Sequence, residues 1–159
     1  MCQFTQAQIQ DHLSNLVSIG MMAVFNHPYE LGVEFVQRRG KTECDLTFRR
    51  DGTVLDPLTA SGYGAVDVAG FALRIASWVL GGRRTRPVLI LDEPFKHLKG
   101  LDENRQVLQM IKLVCNTFGL QVLMISDERV PREDIIAGAD RVFEVTKREG
   151  KSVVKLVKN

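Results

Sequence analysis

Between Thr5 and Phe25 the apolar residues Ile9, Leu13, Leu16, Val17, Met21 and Val24 fall three or four apart. That spacing lays one apolar stripe along a helix, which Asn26-His27-Pro28 ends. The period then shortens to two. Leu31, Val33 and Phe35 alternate with polar neighbours, as do Cys44, Leu46 and Phe48, which predicts two antiparallel strands joined through Gln37–Glu43. Asp51-Gly52 marks a further tight turn. Helical spacing returns from about Ala65 to Leu80, with Val66, Ala69, Leu73, Ala76 and Leu80 inward, and Gly81-Gly82 stops it.

Val88–Leu91 and Gln121–Ile125 follow neither period, because their apolar residues come in succession. Runs of this kind predict parallel strands covered on both faces. Between them Leu101–Phe118 reads as a helix with Val107, Met110, Ile111 and Val114 inward, closed by Gly119. Arg132–Gly138 predicts a short helix. Val142–Thr146 and Ser152–Val157, joined through Arg148-Glu149-Gly150-Lys151, predict a hairpin. The expected fold class is α/β: a parallel strand–helix–strand core with an N-terminal helix, an antiparallel hairpin and a closing C-terminal hairpin. No repeat or linker divides the chain, so one domain is expected, with a helix over residues 1–28, a hairpin region over 29–56 and the parallel core over 57–159.

Composition adds bounds. A chain of 159 residues with 45% hydrophobic and 25% charged residues has the balance of a soluble globular domain. The net charge of +2 is too small for nucleic-acid binding by bulk electrostatics. Arg38-Arg39, Arg49-Arg50 and Arg83-Arg84-Thr85-Arg86 read as solvated turns. Cys2, Cys44 and Cys115, like His12, His27 and His97, are scattered without metal-ligand spacing, as expected of reduced thiols in a cytosolic protein. The N-terminus lacks the basic and apolar regions of a secretory signal, and no stretch approaches a membrane span. A cytoplasmic protein with no membrane partner is the expectation.

Two segments carry chemistry. Leu91-Asp92-Glu93-Pro94 puts adjacent carboxylates just beyond a buried strand, where open α/β sheets bind ligands. Asp92 suits hydrated Mg2+, and Glu93, expected to point the opposite way along the strand, suits orienting or deprotonating a water. Phosphoryl transfer needs both. The plainer alternative is the start of a surface loop. Ser61, Gly62 and Gly64 precede a helix, where backbone N–H groups and a hydroxyl make an anion site. A glycine-containing helix start is common, so this turn is weak alone. The spacing G-x-G-x-x-D fails as a dinucleotide fingerprint because no strand precedes it. Gly40-Lys41-Thr42 copies the end of a P-loop, but the pattern needs glycine at Phe35 and a helix afterwards. No Walker A motif is present.

Taken in order, these segments resemble the C-terminal lobe of an ABC-type ATPase head, in particular the SMC/SbcC group of DNA-repair and chromosome ATPases, including phage recombination-endonuclease subunits. Ser61-Gly62-Tyr63-Gly64, with Ala72-Leu73-Arg74-Ile75-Ala76 downstream, looks like the signature motif and its helix. Val88–Pro94 looks like Walker B with Glu93 as catalytic glutamate, and Phe95–Lys99 takes the place of the D-loop. Val122–Ser126 leads to Asp127 where the switch histidine stands in the family, and Ala139–Val142 resembles the segment beyond that histidine. Three departures accompany the match: Tyr63 splits the signature glycines, Lys99 replaces the D-loop aspartate, and a carboxylate at 127 donates no hydrogen bond unless protonated.

The resemblance implies ATP and Mg2+ as cofactors, with Ser61, Gly62 and Gly64 as nucleotide contacts, Asp92 on the metal, and Glu93 and Asp127 as catalytic residues. It implies as partners a Walker A-bearing N-terminal lobe, a second head, an SbcD-like nuclease subunit and DNA. The first helix would be the coiled-coil exit. Two rival readings stand beside it: a catalytically degenerate, non-enzymatic interaction module, and a standalone metal-dependent nuclease using Asp92, Glu93 and Asp127. Trp78 and Met21-Met22 read as packing residues and His97 as a solvated loop residue.

Overall fold

A computed structural model of the chain describes residues 5–59, 61–82, 86–126 and 130–159. Helix α1 spans Gln6–Val24. Thr5 caps it: its Oγ1 accepts from the Gln8 N–H while the Gln8 side chain accepts from the Thr5 N–H. Val17, Met21 and Val24 are fully buried, whereas Ile19 and Met22 are exposed. The two adjacent methionines therefore divide between core and surface.

Strands β1 (Glu30–Arg38) and β2 (Lys41–Arg50) pair antiparallel with Leu31 opposite Phe48, Val33 opposite Leu46 and Phe35 opposite Cys44. The connection is tighter than the expected Gln37–Glu43. Arg39 and Gly40 alone make the turn, both at positive φ (51° and 74°), the geometry that matches strand twist. Arg38 reaches across the hairpin to Asp45 at 2.6 Å and Glu43 at 3.2 Å, so it is ion-paired rather than merely solvated. A second such turn, Asp51-Gly52, adds β3 (Thr53–Leu55), a strand too short for alternation to reveal.

Helix α2 spans Tyr63–Leu80, two residues longer at its start than expected. It buries Ala65, Val68, Ala69, Phe71, Ala72, Ile75 and Ala76. Of the expected inner face only Ala69 and Ala76 are fully covered, with Val66 and Leu73 at its margin. Close approach to α1 decides the face: a Cβ on Gly20 would stand 3.1 Å from that of Ala72. Small residues must line such a crossing. By length and composition α2 could also cross a membrane, which corrects the expectation that no stretch comes near a span; its buried face accounts for that apolarity as a core helix.

The remaining elements are β4 (Val88–Asp92), α3 (Leu101–Phe118), β5 (Gln121–Ile125), α4 (Arg132–Gly138), β6 (Val142–Arg148) and β7 (Lys151–Lys158). Gly119, at φ 65°, ends α3 in the left-handed conformation. β4 and β5 pair in parallel, from Val88 opposite Gln121 to Asp92 opposite Ile125. Leu91 is buried, and Leu89, Val122 and Met124 pack on the same core. The opposite face is bare: Val88 is 45% exposed, Ile90 70%, Leu123 58% and Ile125 54%. This corrects the expectation of strands covered on both faces. The runs are apolar on both sides, but the described residues supply a layer for one side only.

β6 and β7 form a separate antiparallel hairpin through Glu149-Gly150, with Phe143 opposite Leu156 and Val145 opposite Val154, all four exposed. Lys158 anchors it, donating through Nζ to the carbonyls of Ile136 and Ala139 at 2.7 Å each. Among the described residues, the buried core draws on α1, β1, β2, α2, β4 and α3 and on Leu98 and Leu120, and not on this hairpin.

Candidate functional site

Alternation along β4 aims Leu89 and Leu91 inward, and therefore Val88, Ile90 and Asp92 outward. Asp92 thus stands, exposed, on the bare face of the sheet beside Ile125. Glu93 does not continue the alternation. Its N–H still donates to the Ile125 carbonyl at 3.0 Å, but its φ is 42°, so the chain turns sharply there and leaves its side chain exposed. A non-glycine residue in that region costs about 1 kcal/mol, which the packing of the next residues must hold.

That packing is dense. The Lys96 N–H closes a turn on the Glu93 carbonyl at 3.2 Å, and the Leu98 N–H donates to Phe95 at 3.0 Å. Phe95 sets its ring edge-on to Phe71 of α2, centroids 5.6 Å apart, and Leu98 is buried. Asn104, the buried polar residue of α3, donates through Nδ2 to the Leu98 and Gly100 carbonyls at 3.2 and 2.7 Å. Glu93, Pro94, Phe95, Lys96, Met124 and Ser126 border a small cleft of about 30 Å³.

The glycine turn lies across from this loop. The Asp56 carboxylate accepts from the N–H groups of Leu58 and Thr59, which holds its carboxyl below the usual range. Ser61 donates through Oγ to the Pro57 carbonyl, so it fixes the turn and does not cap α2. Gly62 is the cap residue, with no side-chain hydrogen bond at that end and no described atom within 4 Å of where a Cβ would be. Gly64 differs. It lies in the first helical turn, and a Cβ there would meet the His97 carbonyl at 3.2 Å and Leu98 Cα at 3.3 Å. Its glycine is required by the approach of the loop.

His97 is an exposed loop residue, as expected, but one with fixed partners. Its N–H donates to Asp67 Oδ2 at 3.0 Å, its Nδ1 lies 3.1 Å from the same oxygen, and its ring stands 5.2 Å from that of Tyr63. Sequence reasoning misses Asp67, Phe71 and Asn104 as site-building residues; the G-x-G-x-x-D spacing is the signal that marks Asp67.

Of Ser61, Gly62 and Gly64, the structure therefore brings Gly64 against His97 and Leu98 of the loop that follows Asp92 and Glu93. None of the first three borders the cleft beside Glu93. Asp127 lies outside the described residues. Among the described residues no group of three His, Cys, Asp or Glu side chains converges to hold a metal. An exposed carboxylate beside a second one still fits Mg2+, which keeps much of its water and takes one or two carboxylates together with substrate phosphates.

No family profile and no curated protein matches the sequence. Solved structures do. Over 93% of its length the chain superposes on 84% of a chain from work on ATP-driven dimerization and DNA-stimulated activation of SMC ATPases, at TM-score 0.69 and 18% identity. It superposes likewise on the Smc head domain with an extended coiled coil bound to the C-terminal domain of ScpA from Pyrococcus furiosus (TM-score 0.72, 18% identity, 93% of this chain and 35% of that one). A third match is the Smc head domain with a coiled coil and joint from Pyrococcus yayanosii (TM-score 0.72, 18% identity, 93% and 27%). The fold is that of an ATPase head. Within that class it is the SMC-type head fold, and the chain, spanning about a third of the two longer neighbours, is consistent with its C-terminal lobe.

Proposed function

We propose that this chain is the C-terminal half of an SMC/SbcC-like ATPase head, supplying the signature turn and hydrolytic strand for ATP-driven DNA repair or recombination. The observation that carries the reading is the bare face of the β4–β5 sheet. A parallel sheet of two strands, with an open face of Val88, Ile90, Leu123 and Ile125, is incomplete by itself. Fully burying one such side chain is worth about 1.5–3 kcal/mol. A Walker A-bearing lobe laid there would cover all four and bring its P-loop to the face that carries Asp92.

Each residue then has a role. Asp92 would hold Mg2+ through its water shell, and the ion would neutralise phosphate charge. Glu93, displaced from the strand line by its left-handed turn, orients the attacking water or accepts its proton. Ser61 shapes the turn, and Gly62 presents backbone donors to the phosphate held by a second head. Asp127 stays a catalytic candidate by its place after β5. ATP-driven dimerization is a property of the SMC ATPases this fold resembles, and we carry head–head pairing to this chain on that ground. DNA and an SbcD-like nuclease subunit come from the sequence resemblance alone.

The test combines the chain with a Walker A-bearing lobe. Mg2+-dependent ATP hydrolysis should appear in the assembled head and vanish in Glu93→Gln with ATP binding retained. The isolated chain should neither bind ATP tightly nor hydrolyse it. Turnover by 1–159 alone, abolished by Glu93→Gln, would overturn the half-site reading. Lys99, exposed where the family carries an aspartate, favours the non-enzymatic alternative, in which the assembled head would bind its partner and never turn ATP over.

A further inference from the structure

The backbone N–H of His97 and its ring both meet one carboxylate, that of Asp67, 30 residues earlier in the chain. Asp67 belongs to the helix that carries Gly62 and Gly64, and His97 to the loop that begins at Glu93. The Asp67 side chain is 17% exposed and that of His97 41%, so the carboxylate is half-buried on α2 while the ring it meets lies at the surface. Other contacts across the same boundary are the Phe71–Phe95 ring pair and the seating of Leu98 against Gly64. Those apolar contacts hold the loop against the helix without a donor–acceptor direction. A carboxylate accepting from a backbone N–H is directional and sets position along the interface.

We infer that Asp67 and His97 are a positioning pair, which fixes the loop following Glu93 in register with the helix that presents Gly62. The inference rests on the ATPase reading above, since it concerns how the two halves of that site stay aligned. The route is short. His97 follows Glu93 by four residues, and between them the Lys96 N–H is bonded to the Glu93 carbonyl. A loop that slides on α2 moves the left-handed turn at Glu93, and with it the carboxylate that must meet a water. Asp67 touches no reacting group and acts through the loop.

The contacts predict an order among variants. Asp67→Ala removes both interactions. Asp67→Asn keeps an oxygen for the His97 N–H. His97→Ala loses only the ring, because its backbone still donates.

Two measurements test this. In the isolated chain, amide hydrogen exchange at residue 97 should accelerate in Asp67→Ala, less in Asp67→Asn and least in His97→Ala. In the head assembled with a Walker A-bearing lobe, kcat should fall in the same order with KM for ATP within about twofold. Misplacement by about 1 Å can cost on the order of 100-fold, so a loss of about 10- to 100-fold is expected for Asp67→Ala. Gly20→Val, which disturbs the α1–α2 crossing instead, controls for lost stability. Unchanged exchange at residue 97 would overturn the pair. So would a native kcat despite a loosened loop, or an equal kcat loss in Gly20→Val matched for thermal midpoint. If Asp67→Ala does not fold, Asp67→Asn carries both measurements. A native assembled head without turnover would instead sink the ATPase reading, and the pair's catalytic relevance with it; the exchange result, which needs no ATP, tells the two failures apart.

Discussion

Ile90 and Leu123 stand directly opposite each other across the β4–β5 ladder, and both face away from the core. At 70% and 58% exposed they give this chain almost nothing in the way of packing. Replacing both by glutamate should therefore lower its thermal midpoint by only a few degrees, since exposed substitutions usually shift stability by no more than about 0.5 kcal/mol and like charges facing each other across two strands cost about 0.2–1 kcal/mol. The same change would put two charges into the interface proposed for the Walker A lobe, where burying them unpaired is costly. Expected, then, are a normally folded chain and a lost complex, read by melting and by co-elution. A double variant that still assembles with native affinity would show that the partner docks elsewhere.

Asn104, itself buried, holds two carbonyls of the loop, those of Leu98 and Gly100. Asn104→Leu strands the Leu98 carbonyl, whereas the Gly100 carbonyl keeps the backbone N–H of residue 104 at 3.1 Å. A deserted buried group costs about 1–3 kcal/mol, so the melting temperature should drop by several degrees. Amide exchange at Leu98–Gly100 should quicken more than exchange in the β1–β2 hairpin. A uniform change across the chain would mean that Asn104 supports the whole core and not this loop.

Much of the fold is legible in the residues. α3, β5 and α4 lie where their periods and stop signals put them, because Gly119 and the flanking polar residues leave little choice. The inner face of α2 is not legible, since the helix is apolar nearly all round and only the Gly20 crossing selects among its faces. The apolar runs at β4 and β5 identify strands but mislead about their cover. A sequence records that a strand is apolar on both sides, but not which of those sides its own helices cover. The strand that ends at Asp92 can be placed from pattern; the left-handed turn at Glu93 and the grip of Asp67 on His97 cannot, being products of long-range packing.

Gly20 makes a sharper test of the helix crossing. A Cβ there already crowds Ala72, so a β-branched side chain cannot enter without moving α1 off α2. Overpacking of this kind costs about 1–3 kcal/mol, set against a small gain in helix propensity. Gly20→Val should lower the melting temperature, and Gly20→Val with Ala72→Gly should recover part of the loss. No recovery in the double variant would place the strain somewhere other than this contact.

Acid should loosen the turn that leads into α2 before it unfolds the core. The Asp56 carboxylate accepts from Leu58 and Thr59 N–H groups at 2.8 and 3.0 Å, and those backbone bonds hold its carboxyl below the usual range. A depressed folded pKa means that the native turn prefers the ionised form. Its contribution is complete above the ordinary aspartate pKa of about 3.9 and drains away as pH falls through the lower folded value. Asp56→Asn keeps a neutral oxygen that accepts from both N–H groups and removes the titration. Amide exchange at Leu58 and Thr59, corrected for the intrinsic pH dependence, should therefore accelerate in the native chain below about pH 4 and stay level in Asp56→Asn. Parallel acceleration in both proteins would assign the acid sensitivity of this turn to some other group.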